Sequence, residues 1–219
     1  MHVQQYVIFM NTTKNKIILF DFDGVIVDSF SAAYGVNKTI CPHLTEDEYR
    51  KRFEGNINEW KDSNHTPECR LDMDFFAGYV PKMEKEMAVW PGIDEVITKL
   101  EKNYGLIIVS STLTSPIQDF MNRFGLAQHF LEIMGNDIHK SKVEKIKMVF
   151  TKYKTGPSEC IFITDTLGDM REAEKTGVET IGVAWGFQTK TTLLKGNPFR
   201  IVDKPKDLIG AVSDYFNRQ

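Results

Sequence analysis

The chain has 219 residues, 42% of them hydrophobic and 26% charged, which is ordinary for a globular protein and enough for one sizeable core plus a small insert. A net charge of −3 gives no electrostatic footprint for nucleic acid, and no apolar run approaches the roughly 20 residues of a membrane helix. Three cysteines, Cys41, Cys69 and Cys160, are odd in number and widely spaced. They make neither a zinc pattern nor a disulfide framework, so a reducing cytoplasm is the expected setting and Cys160 is expected in the core.

Residues 1–15 include the apolar residues 7–10 but lack a basic leader and a long apolar stretch, so they do not read as a signal peptide. Ile17–Phe20 has the length and branching of a buried parallel strand. That run ends on Asp21, skips Phe22, places Asp23 and turns at Gly24. Two carboxylates so close raise each other's cost of ionisation, which a chain tolerates where a cation sits between them or where one attacks and the other carries a proton. A calcium loop is excluded: with Gly24 as its glycine, Leu19 and Phe30 would occupy the first and twelfth ligand positions.

From 30 to 88 the sequence is helical in flavour with no convincing strand. Thr45 and Glu48 read as a capping box, and aromatics are scattered at Phe53, Trp60, Phe75, Phe76 and Tyr79. This stretch holds 8 Lys and Arg against 11 Asp and Glu, so the whole net charge resides there. It reads as a small helical insert placed to cover a site.

After Trp90-Pro91-Gly92 the pattern alternates. Ile93, Val96, Ile97 and Leu100 predict a helix, 106–109 a strand, and Ser115-Pro116 an N-cap and first turn for Ile117, Phe120, Met121 and Phe124. Residues 130–133 predict a short strand. Val143, Ile146, Val149 and Phe150 predict a helix after Ser141, Cys160–Thr164 and 180–183 further strands, and 168–175 a helix. Arg200–Val202 reads as an edge strand, and Leu208, Ile209, Val212 and Phe216 as a closing helix. Such alternation predicts an α/β, Rossmann-like three-layer sandwich with a mostly parallel sheet, and an all-helical cap inserted after the first strand. The core is then 1–29 with 89–219, and the cap 30–88. Ligands of such sheets bind beyond the carboxyl ends of the strands.

Those strand ends carry Asp21 and Asp23, then Ser110 and Ser111, then Asp165 with Asp169 one helical turn on. Lys140, Lys142 and Lys145 precede the last of these strands. Together the residues resemble the haloacid-dehalogenase-like hydrolase superfamily, in its branch with a small helical cap, of the phosphoglycolate-phosphatase and β-phosphoglucomutase type. The first motif stands as Asp21-Phe22-Asp23-Gly24-Val25-Ile26-Val27-Asp28-Ser29, the second as Ile107-Ile108-Val109-Ser110, the third as Ser141-Lys142-Val143 and the fourth as Asp165-Thr166-Leu167-Gly168-Asp169. Resemblance covers about residues 16 to 190. Two departures stand out. Val143 replaces the proline that many relatives carry after the third-motif lysine, leaving Lys140 and Lys145 as rivals to Lys142. Ser111 also stands where many relatives have Asn.

The resemblance implies a Mg²⁺-dependent phosphatase acting on a small phosphate monoester, with no nucleic-acid or membrane partner. Asp21 would form an aspartyl-phosphate, and Asp23 would protonate the leaving alcohol and then deprotonate water. Asp21, Asp23 (through its carbonyl) and Asp165 would hold the metal, and Asp169 would hold a metal-bound water or orient Lys142. Ser110 and Lys142 would grip the phosphoryl oxygens, with Ser111 and Asn56 as further substrate contacts. Plainer readings stand beside these: Asp169 as a first-turn helix carboxylate, Ser111 as local capping, Asp28 and Ser29 capping the first helix, His139 on the surface, and Trp185 and Phe187 as packing. The cap side chains Arg50, Arg52, Glu54, Asn56 and Arg70 read as substrate contacts or as a solvated helix face.

Asp23 argues against carbon–halogen cleavage, which needs neither an acid there nor a metal. A phosphonate-cleaving relative needs a cap lysine for a Schiff base, and around residues 53–57 none is placed for it, with Lys51 and Lys61 not far. A phosphosugar mutase shares every core residue named and differs in whether the cap excludes water. A non-catalytic binding module of this fold predicts loss of Asp21 or Asp165, and both are present.

Overall fold

The computed structural model describes residues 15–59 and 68–218; the expectations for residues 7–10, Trp60 and Lys61 fall outside these. Strand β1 (Ile17–Phe20) lies at the centre of a six-stranded sheet with β2 (Gly105–Val109), β3 (Glu132–Met134), β4 (Cys160–Thr164), β5 (Glu179–Val183) and β6 (Arg200–Val202). Their order is β3-β2-β1-β4-β5-β6, and every pairing is parallel. β1, β2 and β4 are buried along their whole length, as near-continuous apolar runs must be when helices cover both faces. The pleat sends alternate residues to opposite faces. Ile18 and Phe20 join Val96, Ile97, Ile117 and Val212 on one side, and Ile17 and Leu19 join Ile146, Val149 and Ala173 on the other.

The helices run in chain order: α1 (Phe30–Ile40), α2 (Glu46–Lys51) and α3 (Phe75–Lys85), then α4 (Ile93–Leu100), α5 (Thr114–Arg123), α6 (Lys142–Tyr153), α7 (Leu167–Glu174), α8 (Lys190–Leu194) and α9 (Asp207–Asn217). None of the described helices is long and apolar enough to cross a membrane. The first three, with 3₁₀ turns at Arg52–Glu54 and Ile57–Glu59, fill the described part of 30–86, which contains no strand. The chain leaves the core and returns side by side: Val27 and Val89 form an antiparallel bridge, flanked by Asp28 N to Ala88 O (3.2 Å) and Trp90 N to Ile26 O (2.9 Å). The Thr45–Glu48 capping box forms as the sequence predicts.

Several elements differ from expectation. α5 starts at Thr114, before Ser115-Pro116, because the Asp137 carboxylate reaches across to accept from Thr114 N (2.7 Å) and Oγ1 (2.8 Å). β3 begins only at Glu132, since Phe130 closes the 3₁₀ turn Ala127–His129. Ser29 occupies the N-cap position of α1, but its hydroxyl makes no capping bond and Asp28 is exposed.

The reading of the cysteines is corrected: Cys41 and Cys69 form a disulfide. Their segments meet because Arg70 N donates to Ile40 O at 2.7 Å, pairing the end of α1 with the approach to α3. The contact spans 28 residues of an insert whose path sequence patterning does not determine, so spacing alone gave no sign of it. Cys160 is buried in the core as expected, and burial pushes its thiol up to about 12.

Candidate active site

β1, β2 and β4 are adjacent and parallel, so the residues that follow them are delivered to one edge of the sheet, where the strand order reverses. Asp21 extends β1 by one bond, its N–H donating to Ile163 O at 2.9 Å. Its Oδ1 accepts from Phe22 N at 2.8 Å and faces Lys142 Nζ at 2.9 Å. Lys142 opens α6, and its Nζ also donates to Asp169 Oδ2 at 2.7 Å. Thr164 Oγ1 donates to that same oxygen at 2.7 Å.

This geometry chooses among the three lysines. Lys140 is exposed. Lys145 is buried and turns its ammonium beneath the floor, to the carbonyls of Ser110 and Gly135. Burial and the charge of Lys142 lower Lys145 to about 8. Only Lys142 reaches the carboxylates.

The carboxylates are unequally charged. Burial, with Asp169 and Asp165 nearby, raises Asp21 well above the ordinary carboxylate value even against Lys142. Burial and Asp169 raise Asp165 to about 7, despite the Phe187 N–H at 2.6 Å from its Oδ2. Asp169 is also buried, but Lys142 and its hydrogen bonds hold it below the usual range. Burial thus favours the neutral form at Asp21 and Asp165, whereas Lys142 and its hydrogen bonds favour the charged form of Asp169.

Asp165 shows how the site suits a cation. Its Oδ1 is buried with no hydrogen-bond partner among the described residues, and a Cβ on Gly24 or Gly186 would run into its carboxylate. A buried carboxylate oxygen lacking a donor, beside Asp21 and Asp23, is a hard oxygen set of the kind that Mg²⁺ takes.

Asp23 is half-buried and held from both sides. Thr112 Oγ1 donates to its Oδ2 at 2.7 Å from the core, and Tyr79 of α3 donates its hydroxyl to Oδ1 from the cap. Neither partner was anticipated from the sequence. Thr112 lies just three residues past the end of β2, directly after the two serines already of interest, so the signal was within reach. Tyr79 carries no signal beyond being aromatic; burial and Asp23 raise its phenol.

Ser110 is fully buried, and its Oγ accepts the Thr112 N–H at 3.0 Å, shaping the turn; Ser111 and Thr112 line the cavity above it. Asn56 is not brought to the cavity. Its amide donates to Glu172 Oε1 at 3.2 Å and its Oδ1 accepts from Asn58 N, so it ties the cap to α7. Arg50 and Glu54 likewise serve that seam: Arg50 donates to Phe187 O, and Glu54 O accepts from Arg171. Phe187 both packs and lines the cavity, its ring 5.1 Å from Phe30 and 5.0 Å from Phe53. His139 is exposed as expected.

The cavity between core and cap measures about 240 Å³. Asp21, Asp23, Ser111, Thr112, Lys142 and Asp169 form its floor, and Tyr49, Phe53, Phe75, Phe76 and Tyr79 of the cap form its roof.

An open parallel sheet whose central strands end in Asp-x-Asp, a hydroxyl turn and an Asp pair, with a lysine drawn between two of the carboxylates and a helical insert above, defines a capped α/β hydrolase. Residues 18–183 match the model of the haloacid dehalogenase-like hydrolases, and the chain belongs to that family. Among its relatives is a phosphoglycolate phosphatase of Synechococcus elongatus, 22% identical over 206 residues that cover 90% of this chain and 97% of the relative. A pyrophosphatase, PpaX, of Listeria innocua is 25% identical over 217 residues, 93% and 99% of the two chains. Among solved structures, a haloacid dehalogenase-like hydrolase from Streptococcus pneumoniae superimposes with a TM-score of 0.72 at 25% identity, covering 90% of this chain and 98% of that one. A hydrolase from Pseudomonas syringae gives 0.75 at 19% identity, covering 91% and 98%.

Proposed function

We propose that the protein is a Mg²⁺-dependent phosphatase that hydrolyses a small phosphate monoester through an aspartyl-phosphate on Asp21. The observation that carries this reading is the Lys142 ammonium, 2.9 Å from Asp21 and 2.7 Å from Asp169 at the floor of a covered cavity. It is supported by family membership and by relatives that are themselves phosphatases.

In this reading an Asp21 oxygen attacks phosphorus as the bond to the leaving oxygen breaks, and Asp23 gives that oxygen its proton. Asp23 then takes a proton from water, whose oxygen attacks the same phosphorus. The acyl-phosphate P–O bond breaks, releasing inorganic phosphate and restoring Asp21. Thr112 holds the Asp23 carboxylate, and Tyr79 reaches it only from the cap, so cap closure and the acid–base group are linked. Lys142 and the 110–112 turn grip the phosphoryl oxygens, and Asp169 orients Lys142. Asp21, the Asp23 carbonyl and Asp165 would hold Mg²⁺, which supplies charge neutralisation and phosphoryl positioning. Residues 30–88 act as the lid, and the aromatic roof excludes water. A cavity of about 240 Å³ is below the range that holds drug-sized ligands, in keeping with a small ester.

The direct test is phosphate release from p-nitrophenyl phosphate with Mg²⁺ and with EDTA. Turnover that EDTA leaves untouched would refute the metal requirement.

A pH dependence follows. Asp165 is raised to about 7 and Asp21 is raised with it, so the metal-free fold loses stability as pH climbs from the ordinary carboxylate value through about 7. A bound cation must displace these protons. Apparent Mg²⁺ affinity is therefore expected to fall below about pH 7, by about tenfold per pH unit for each proton displaced. Calorimetric titrations at several pH values on either side of that point check this, and a flat affinity would contradict the raised carboxylates.

A further inference from the structure

The walls of the cavity bear on what the leaving group must be. In the proposed site the charges of the reacting phosphate are already matched by Lys142 and the metal. The core adds Asn136, Thr166 and the carboxylate of Glu172 to the lining, none of them a cation; from the cap, Tyr49, Phe53, Phe75 and Phe76 present aromatic rings and Asn37 and Asn58 amides. No Lys, Arg or His of the cap lines the cavity among the described residues. The nearby arginines are turned to other partners. Arg50 donates to Phe187 O and lies 3.8 Å from the centre of the Phe30 ring, and Arg52 donates to Asn37 Oδ1 at 3.0 Å. The Asn37 amide donates to Ala33 O at 3.0 Å. A second anionic group on the substrate would thus face aromatic rings with no countercharge among the described residues, and desolvating an unpaired carboxylate is costly. Building on the phosphatase reading, we infer that the substrate is a monophosphate ester of an uncharged alcohol with an apolar or aromatic body, and that esters carrying a carboxylate are excluded. This separates the chain from the activity that names its phosphoglycolate phosphatase relatives.

The test compares three esters with alcohol leaving groups, using the full chain with Mg²⁺: benzyl phosphate, n-propyl phosphate and 2-phosphoglycolate. Benzyl phosphate is expected to exceed 2-phosphoglycolate by roughly a hundredfold or more in kcat/KM, with n-propyl phosphate between. Phe76→Arg, which adds a cation to the roof, is expected to narrow that ratio. Equal or better turnover of 2-phosphoglycolate by the unaltered protein would overturn the inference while leaving the phosphatase reading intact. If no ester is turned over and no phosphoenzyme can be trapped, the phosphatase reading itself fails.

A separate cluster carries a second inference. Between the end of α1 and the approach to α3, His43 Nε2 stands 3.6 Å from Cys41 Sγ and 3.9 Å from Cys69 Sγ. With Zn–S of about 2.3 Å and Zn–N of about 2.1 Å, tetrahedral geometry puts sulfur and nitrogen ligands about 3.6 Å apart. Cys41 is buried, Cys69 half-buried and His43 exposed, which leaves an entry path. The geometry points to a soft-metal site formed by Cys41, His43 and Cys69 once the disulfide is reduced. A thiol reductant takes up the bridge, giving two protein thiols and the reductant's own disulfide. Zn²⁺ then displaces two thiol protons to bind both sulfurs and the imidazole. Reduced protein titrated with Co²⁺ is expected to show a thiolate-to-cobalt charge-transfer band that is lost in Cys41→Ser, Cys69→Ser and His43→Ala and retained in Asp165→Asn. Reduced protein with the Cys41 and Cys69 thiols titratable and no such band, or a band that survives Cys41→Ser, would overturn the assignment.

Discussion

Replacing Asp21 with Asn is expected to lower kcat by at least about 10⁴-fold and to leave the fold as stable as before, or more stable, in the absence of metal. Chemistry and stability pull this position in opposite directions. Asp21 is buried beside Asp165 and Asp169, and its carboxyl is held well above its ordinary value. Such a group destabilises the fold as pH rises above the ordinary carboxylate value, and asparagine removes that charge while keeping the shape. Lys142 retains Asp169 as its partner. Acid-quenched wild-type protein should carry an alkali-labile phosphate, and Asp21→Asn should carry none. Residual activity in the variant above about a tenth of wild type would rule out Asp21 as the nucleophile. A fall in melting temperature without Mg²⁺ would contradict the electrostatic account.

Lys142→Met is expected to cost about 3–5 kcal/mol of stability at neutral pH as well as activity. Against the cost of burial, Asp169 and Asp21 hold the Lys142 ammonium above its ordinary value, so its contribution is complete at neutral pH and is lost only in strong alkali. Asp169, held below its ordinary value, contributes stability that is present above about pH 4 and lost as pH falls through its folded value. Removing the ammonium leaves adjacent buried carboxylates without a countercharge. They then prefer to be protonated, so the variant should gain stability relative to wild type as pH falls from about 7 to 5. Denaturant unfolding at both pH values checks the sign, and a penalty unchanged by pH would refute the charge argument. Lys145→Met is the comparison: its ammonium serves the carbonyls of Ser110 and Gly135, so its loss should disturb the 110–112 turn without that acid rescue.

The carboxylates at the ends of β1 and β4 were legible because their placement is local. A residue that directly follows a buried parallel strand has nowhere to go but the carboxyl edge of the sheet, so Asp21, Ser110 and Asp165 could be read from three apolar runs. The cap was legible as a break in the alternation, and its start and return fall where Val27 pairs with Val89. The motif resemblance favoured Lys142, but the sequence left Lys140 and Lys145 as rivals. Lys140 lies before α6, and Lys142 and Lys145 differ in where its first turn points them, a turn fixed in part by Glu172 accepting from Lys142 N at 2.9 Å. Asn56 has the polarity of a ligand contact but is consumed by the same Glu172.

What the amino-acid sequence determined by itself is the sheet, its active edge and the identity of the carboxylates, because strand burial and strand-end position follow from period and polarity over a few residues. The tertiary structure decided between Lys142 and its rivals, and it alone showed that Tyr79 and Thr112 hold Asp23 across 56 and 89 residues, that Cys41 meets Cys69, and that the described roof is aromatic with no charged side chain. Those contacts join segments far apart in the chain, and their partners are chosen by how the cap packs on the core, a choice no local pattern contains.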